Sequence, residues 1–467
     1  MHPSDMPPSS DAHLPLPAEL LPMAFQPHHF RPSMFRMAEA ALVFGKNGAH
    51  FLFDRLKRQR ATLPRRLRHS FEALGPTFIK FGQLIASSPG IFPRAVADEF
   101  QACLDRMPPL SFEVIRGILQ RELGDKLSQF KRLDELPLAT ASMAQVHAAE
   151  LVDGRRVVLK ILRPNIRPQI QRDIGNMLAF ARLLERFHKT SRMANPLGVV
   201  EDFSRTLLEE LDLSLEARSM ARYREILLEG FEFQIDIPEV YPEFCTQQVL
   251  VMERLEGIRA DDKRAVKTAG INAEECLLRL MRATLRSVMF HGLFHGDLHA
   301  GNLRLAEGDR VVLMDFGLMG RLNQEERKQI AWLFVAMAKR NFRGMAEALL
   351  ALEKLPPAQA DAFAVDLEKT LRPIMRSKVG DMNFGRILQS VIELGARHNL
   401  RLPKALILLL KQLLYVDRFA HLLAPGFNPF KDVRTIDFVW EEPLGQQLYP
   451  DLLERLLSPV GSDASGH

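Results

Sequence analysis

The chain has 467 residues, of which 47% are hydrophobic and 25% are charged, and these values are typical of a globular protein and exclude a disordered or fibrous one. The formal net charge is +5, so the distribution of the basic residues says more than their total. No segment reaches the roughly twenty apolar residues that a membrane-spanning helix needs. We also find no signal peptide or mitochondrial presequence. These features predict a cytoplasmic protein whose membrane contact, if any, is peripheral at the inner face.

Residues 1–32 are rich in proline, histidine and serine, which predicts a disordered leader. Residues 33–135 predict a helical extension. It contains a basic stretch, Arg55–Arg68, in which seven basic residues occur without an acid. The stretch can be a solvated helix face or a surface that meets anionic lipid. Nucleic acid is the weaker interpretation because no aromatic residues are interleaved for base stacking, so we expect an anionic membrane surface and no nucleic acid as the partner.

A second helix is predicted to begin at Pro76, since proline suits the first turn of a helix. Lys80 and Gln83 lie three positions apart on it and share one face. Taken alone, they are surface residues.

Residues 136–255 predict a small β-rich lobe. Two strands flank the turn Asp153-Gly154, and Val157–Lys160 has the form of the kinase strand whose lysine pairs with the phosphates of ATP. Such a lysine needs a carboxylate, and several acids follow it. The candidates are Glu209, Glu210, Asp212 and Glu216.

A loop of small residues precedes these strands, at the place where a kinase carries a glycine-rich phosphate loop. Small side chains still allow a nucleotide to approach closely, but the loop is stiffer than one made of glycine. The candidate nucleotide contacts in this lobe are Ala139, Ala141, Ser142, Ala144 and Lys160, together with Met252, Glu253 and Leu255 in an apolar strand that suits the hinge to a second lobe.

Residues 256–445 predict a mostly helical second lobe, followed by a tail over 446–467. This lobe carries Asp297, then Asn302 five positions later, then Asp315 directly before Phe316-Gly317. Phosphoryl transfer from ATP needs a carboxylate near the nucleophile, plus an amide and a second carboxylate that hold Mg²⁺. The order and spacing are those of a kinase catalytic loop and metal loop, so we expect ATP and Mg²⁺ as cofactors, with Asn302 and Asp315 as metal ligands.

Taken in order, these motifs resemble the UbiB family of atypical kinases, the AarF-like proteins, over roughly residues 70–425. The resemblance rests on Lys80-Phe-Gly-Gln83, Ala139–His147, Lys160, Glu210-Leu-Asp212 with Glu216, His295–Asn302 and Asp315-Phe-Gly317. It implies an α+β fold of the bilobal, protein-kinase-like type, in which the helical extension lies over the active site.

The resemblance also implies roles. Asp297 is the catalytic aspartate, and Lys160 contacts the phosphates and pairs with Glu216. Lys80 and Gln83 face Glu210 and Asp212, and from this placement we predict a regulatory latch. The implied activity is that of an atypical kinase or ATPase in ubiquinone or other isoprenoid-lipid metabolism, with an isoprenoid or quinone-type lipid as a further partner and a homodimer or a quinone-biosynthesis complex left open.

Two alternatives stay open, a nucleotide-binding scaffold with little turnover and a small-molecule kinase. The chain departs from the family at Thr140, at Ser88-Pro-Gly90, at Leu298 and at Ala300, and it lacks the hydrophobic C-terminal segments of many bacterial members. No Ala-Pro-Glu follows the metal loop, and Gly296 stands where protein kinases carry an arginine. Both absences argue against a peptide substrate.

Overall fold

The computed structural model describes most of the chain. The described residues are 25–56, 62–87, 93–103, 107–187, 195–229, 234–376, 390–391, 393–395, 397–398, 400, 403–428, 432–435 and 437. Most of the predicted leader and all of the predicted C-terminal tail therefore lie outside the described residues, as do residues 57–61 of the basic stretch.

The first part of the chain is helical before its sheet begins. Its helices are α1 (Met34–Leu56), α2 (Leu63–Leu74), α3 (Pro76–Ser87), α4 (Arg94–Phe100) and α5 (Phe112–Leu123). The elements that follow are β1 (Phe130–Leu133), β2 (Ala139–Thr140), β3 (Ala144–Leu151), β4 (Arg156–Leu162), α6 (Ile166–Phe187), α7 (Pro196–Glu209) and α8 (Leu213–Glu229).

The second part alternates short strands with helices and then becomes helical. Its strands are β5 (Ile235–Asp236), β6 (Val249–Glu253), β7 (Ile258–Arg259), β8 (Leu293–His295), β9 (Leu303–Ala306), β10 (Arg310–Leu313) and β11 (Met319–Arg321). Its helices are α9 (Lys263–Thr268), α10 (Ala273–Arg286), α11 (Gln324–Ala338), α12 (Phe342–Leu352), α13 (Ala360–Arg376) and α14 (Lys404–Leu423).

The chain forms two compact units. The N-terminal unit contains Pro22–Ala217 and Glu239–Arg254, and the C-terminal unit contains Arg218–Pro238 and the chain from Leu255 onward. The division falls within α8, so Arg218–Pro238 groups with the helical unit although the sequence analysis placed it in the β-rich lobe. The other predicted domain boundaries stay predictions.

The N-terminal unit is built on an antiparallel sheet with the order β1-β3-β4-β6, to which β2 adds on β3. Strands β3 and β4 pair as predicted across Asp153-Gly154, where Gly154 has the positive φ of 88° that such a turn favours. Strand β4 is rich in β-branched residues and nearly all of it is buried. Its side chains pack with Ile115 and Ile118 of α5 in one hydrophobic core.

The helical extension, α1 to α4, has a separate core centred on Phe71, which packs its ring edge against Phe78 and Phe100. The extension is tied to α6 by a buried network: the Arg36 Nε donates to Asp173 Oδ1 at 2.6 Å, and the Thr77 hydroxyl donates to Asp173 Oδ2 at 2.6 Å. The Asp173 side chain is fully buried. The extension is thus an integral part of the N-terminal unit.

Two sequence-based predictions in this region need correction. Residues 25–32 were assigned to a disordered leader, but Pro27–His29 form a 3₁₀ turn and the Ser33 main-chain N–H donates to Asn176. In the basic stretch, Arg66 pairs with Asp54 and Arg68 pairs with Glu72 and Glu99. These two arginines hold helices together, so neither belongs to the fully solvated helix face that was one interpretation of the stretch.

The C-terminal unit carries a mixed sheet with the order β5-β10-β9-β7 and a small ladder of β8 and β11. Helix α10 begins at an Asn272 cap, whose side chain accepts a hydrogen bond from the Glu275 N–H, and it leads through a π-helical turn, Ser287–His291, into β8. After Gly317 the chain forms β11, which pairs with β8, before the helices of the second lobe continue. No helix of the described residues is long and apolar enough to cross a bilayer.

Candidate active site

The N-terminal unit presents the predicted phosphate-pairing lysine. Lys160 lies near the end of β4, and its ammonium donates to both oxygens of Glu216 at 2.9 Å. Glu216 lies in the first turn of α8 and its side chain is only 4% exposed. Of the acids that the sequence left open as partners of Lys160, Glu216 is the one in this pair, as the family resemblance implied. A fork-like contact with both oxygens fixes the direction of the lysine.

The turn between α7 and α8 places Glu216. Asp212 caps α8, because its carboxylate accepts hydrogen bonds from the Ser214 N–H at 3.0 Å and from the Ser214 hydroxyl at 2.6 Å. Two positions earlier in the same turn, Glu210 forms an ion pair with Lys80 of α3, in which Lys80 Nζ lies 2.8 Å from Glu210 Oε2. Lys80 and Glu210 therefore meet as predicted, while the Asp212 carboxylate bonds Ser214 at the start of its own helix.

The small-residue loop is held by its main chain. The Ala141 N–H donates to Ala144 O at 2.9 Å, and Arg163 donates to the Ala141 carbonyl at 3.0 Å. The side chains of Ser142 and Ala144 are buried, whereas Ala139 is exposed in β2. At its buried positions the loop would present mainly backbone to a ligand. The hydrogen bonds of its main chain fit the expectation of a stiff loop.

At the predicted hinge, too, the main chain is already hydrogen-bonded. Met252 is buried in β6, and the main chain of Glu253 is already paired, since its N–H donates to Glu239 O at 2.7 Å. Leu255 begins the C-terminal unit. These three positions stay predictions as nucleotide contacts.

The C-terminal unit brings the two predicted metal ligands to one end of a hairpin. Strands β9 and β10 pair from Leu303 with Leu313 onward, and the Met314 N–H donates to Asn302 O at 2.9 Å. Asn302 thus precedes one strand and Asp315 follows the other. The amide nitrogen of Asn302 donates to Asp297 O at 3.0 Å. The amide oxygen therefore points away from Asp297 O and can serve as a ligand atom. A carboxylate and an amide oxygen are ligands that Mg²⁺ prefers, with water and phosphate completing its shell.

Asp315 has an unusual backbone. Its φ is +55°, in the left-handed region, which costs an ordinary residue roughly 1–2 kcal/mol. Aspartate tolerates this region because its side chain can bond the backbone two residues on, and here Asp315 Oδ1 accepts from the Gly317 N–H at 3.2 Å. Such conformations cluster at functional sites.

A buried histidine connects the two loops. His295 Nδ1 accepts from the Asp297 N–H at 3.1 Å, and the opposite ring nitrogen contacts Met314 O at 3.1 Å, so this Nε2 carries the proton. Burial lowers the pKa of His295, which keeps the ring neutral as both bonds require. The neutral ring holds the start of the Asp297 loop against the residue before Asp315.

The side chain of Asp297 has a partner that the sequence analysis missed. Lys411 of α14 donates to Asp297 Oδ1 at 3.0 Å, and His299 Nε2 lies 3.8 Å from Asp297 Oδ2. In the sequence, Lys411 serves only to interrupt an apolar run, so no motif identifies it. Nothing in the spacing of one lysine within a core helix could have indicated this contact.

Comparison with known proteins bears on this arrangement. The model of the ABC1 atypical kinase-like domain matches residues 102–349, and the model of the UbiB helical domain matches residues 367–428. The chain belongs to the UbiB family of atypical kinases. This family is associated with ubiquinone biosynthesis, and the predicted α+β, kinase-like fold class is confirmed. The placement of the extension over the nucleotide site stays a prediction.

The chain is also similar to individual proteins. The chain is 39% identical over 373 residues to the uncharacterized protein Rv0647c of Mycobacterium tuberculosis, covering 78% of this chain and 76% of that protein. It is 35% identical over 409 residues to the "Probable protein kinase UbiB" of Aeromonas hydrophila, covering 86% and 73%. A solved complex of Rv3197 with erythromycin from Mycobacterium tuberculosis is similar at 20% identity and a TM-score of 0.49, covering 84% of this chain and 99% of that one.

Proposed function

We propose that this chain transfers the γ-phosphoryl group of ATP in a Mg²⁺-dependent reaction that supports ubiquinone or other isoprenoid-lipid metabolism at a membrane surface. The observation that carries the proposal is the hairpin end that brings Asn302 next to Asp315 and ties both to Asp297 through the Asn302 amide and His295. Because oxygen ligands and a carboxylate stand together there, the residues fit the metal and the base that phosphoryl transfer needs.

In this proposal each residue has one task. Asn302 and Asp315 hold the metal, which when bound neutralises charge on the phosphates. Lys160, fixed by Glu216, pairs with phosphate oxygens. Asp297 accepts the proton of the attacking hydroxyl, whose oxygen bonds the γ-phosphorus as ADP leaves. The acceptor is water or a small alcohol.

Turnover of ATP tests the proposal directly. We expect Asp315→Asn to lower Mg²⁺-dependent hydrolysis by roughly a hundredfold or more, because a charged metal ligand is lost. Asparagine also adopts left-handed backbone and retains an acceptor for the Gly317 N–H, so the fold is preserved. The matched control is Asp361→Asn, at a side chain that is 78% exposed. Equal rates in the parent and in Asp315→Asn would refute the role of Asp315, and a parent with no hydrolysis at all would favour the scaffold.

The membrane part of the proposal is supported by α1. This helix exposes several large apolar side chains, among them Phe35, Leu42 and Leu52, at 83%, 74% and 60% exposure. The basic stretch Arg55–Arg68 begins in the last turn of α1. Arg65, which lies further along this stretch in α2, is exposed. Apolar side chains next to basic ones favour an anionic bilayer surface, with about 1 kcal/mol per basic residue near the surface.

Sedimentation with vesicles tests this part. Vesicles that contain anionic lipid should bind the parent at low salt and release it at high salt, and Phe35→Asp with Leu42→Asp should weaken binding. The control is Leu136→Asp, which replaces an equally exposed leucine, 82% exposed, in a loop before β2. If both variants bind as the parent does, the surface of α1 does not contact the membrane.

A further inference from the structure

The environment of the Asp297 carboxylate poses a chemical problem. A protein kinase carries an arginine directly before its catalytic aspartate, and this chain carries Gly296 there. A Cβ at that position would lie 2.8 Å from Leu318 O and 3.0 Å from the Leu318 side chain. A side chain at residue 296 would therefore collide with Leu318, so the residue directly before Asp297 cannot contact its carboxylate, and the contacts of Asp297 come from other parts of the chain.

Helix α14 supplies a cation. Lys411 Nζ lies 3.0 Å from Asp297 Oδ1 and 5.8 Å from the centre of the Tyr415 ring, one helical turn further along. Lys411 is 24% exposed and Asp297 is 27% exposed, so both groups are half-buried and reach the surface of the unit. A charge-assisted bond of this length restricts the carboxylate to one orientation.

Helix α14 is seated firmly enough to make the lysine a fixed group. Leu409 and Leu413 on either side of it are fully buried, and the amide of Gln412 donates to the Thr284 hydroxyl of α10 at 3.1 Å. Because α10 leads through the π-helical turn into β8 and the Asp297 loop, the helix that holds Lys411 and the loop that holds Asp297 share one support.

We propose that Lys411 is a positioning residue for phosphoryl transfer, which holds the Asp297 carboxylate in the direction required to receive the proton of the attacking hydroxyl. The inference rests on the proposed function. It assigns to the UbiB helical domain, which contains Lys411, a part in the chemistry of the kinase-like domain. Positioning of this kind acts on the chemical step and leaves binding of ATP nearly unchanged.

The test compares steady-state ATP hydrolysis and ATP binding in the full chain. Lys411→Met keeps the apolar stem and removes the charge, so we expect kcat to fall by about ten- to a hundredfold with KM for ATP within about threefold. Lys411→Arg should recover part of the rate. In Lys411→Ala, added ethylammonium should recover part of the rate, because it returns a cation to the space that the side chain vacates.

The control is Arg418→Met, which removes an exposed cation from the same helix. A thermal melt of each variant separates a loss of folding from a loss of chemistry. A rate in Lys411→Met equal to that of the parent would overturn the proposal while the proposed function stands. A rate lost in proportion to folded protein, with no recovery by arginine or ethylammonium, would also overturn it, since Lys411 would then only support the helix. Absence of hydrolysis in the parent would instead refute the proposed function.

Discussion

Lys80 Nζ lies 2.8 Å from Glu210 Oε2, and each side chain is 22% exposed. The contact joins α3 of the helical extension to the turn that continues into Asp212 and the start of α8, where Glu216 holds Lys160. A change at Lys80 can therefore reach the phosphate-pairing lysine through one turn of chain, although the two lysines are 80 positions apart in the sequence.

We predict that Lys80→Glu alters ATP handling, raising KM for ATP by about fivefold or more, because like charges push the turn away from its position. The swap Lys80→Glu with Glu210→Lys should restore most of the parent value. Stability should change by less than about 1 kcal/mol for the swap, since the pair is partly exposed. Lys131→Glu, in the exposed pair with Glu150 of the same unit, is the control. Parent-like kinetics in Lys80→Glu would remove the latch.

The buried contact between Arg36 and Asp173 predicts a large stability effect. Asp173→Ala leaves the arginine without its main acid and the Thr77 hydroxyl without its acceptor. Removing one partner of a buried ion pair typically costs about 3–5 kcal/mol. Urea unfolding should show this loss, while Asp361→Ala at an exposed site should change stability by less than about 0.5 kcal/mol.

The stability of Asp173→Ala also shows how the latch at Lys80 and Glu210 can move. If Asp173→Ala proves as stable as the parent, the extension is weakly attached and can leave as a whole. The expected loss would mean that a change at Lys80 acts by a local shift of α3 while α1 stays in place on α6.

His291 predicts a dependence of stability on pH. Burial, followed by the charges of Arg286, Arg222 and Arg327, lowers the pKa of His291 from 6.5 to about 3. Below about pH 6.5 the unfolded chain binds a proton that the folded chain does not, so stability falls as the pH falls from about 6.5 toward 3. At pH 5 this amounts to about 2 kcal/mol.

His291→Leu should remove that part of the loss. We expect the difference in unfolding free energy between pH 8 and pH 5 to shrink by about 2 kcal/mol relative to the parent. Val365→Leu, at a side chain that is 64% exposed and does not titrate, should leave the difference unchanged. If His291→Leu loses as much unfolding free energy between pH 8 and pH 5 as the parent does, His291 takes up a proton in the folded chain as readily as in the unfolded one.

Local sequence patterns predicted the strands and the helix start that carry several of the candidate site residues. The β3–β4 hairpin, the strand with Lys160 and the helix start at Pro76 follow from alternation, turn residues and proline, all of which act over a few positions. The pairing of Lys160 with Glu216 needed the family resemblance, because several acids lie within reach of the same turn and only tertiary packing chooses among them.

Other features could not be predicted because they depend on contacts between distant parts of the chain. Arg66 and Arg68 look like a free basic surface in the sequence, but their acids lie on α1, α2 and α4. Lys411 is 114 positions from Asp297 and belongs to a helix whose other residues indicate only a core. A single charged residue in an apolar helix predicts a partner, but not which one.

The most direct test of the account is a single-turnover measurement with γ-labelled ATP on the parent and on Asp297→Asn, with ATP binding measured on the same samples. We expect Asp297→Asn to bind Mg²⁺-ATP within about threefold of the parent and to release labelled phosphate at least roughly a hundredfold more slowly, because only the proton acceptor is lost. Equal rates of phosphate release in the two proteins would contradict the claim that Asp297 carries the chemistry.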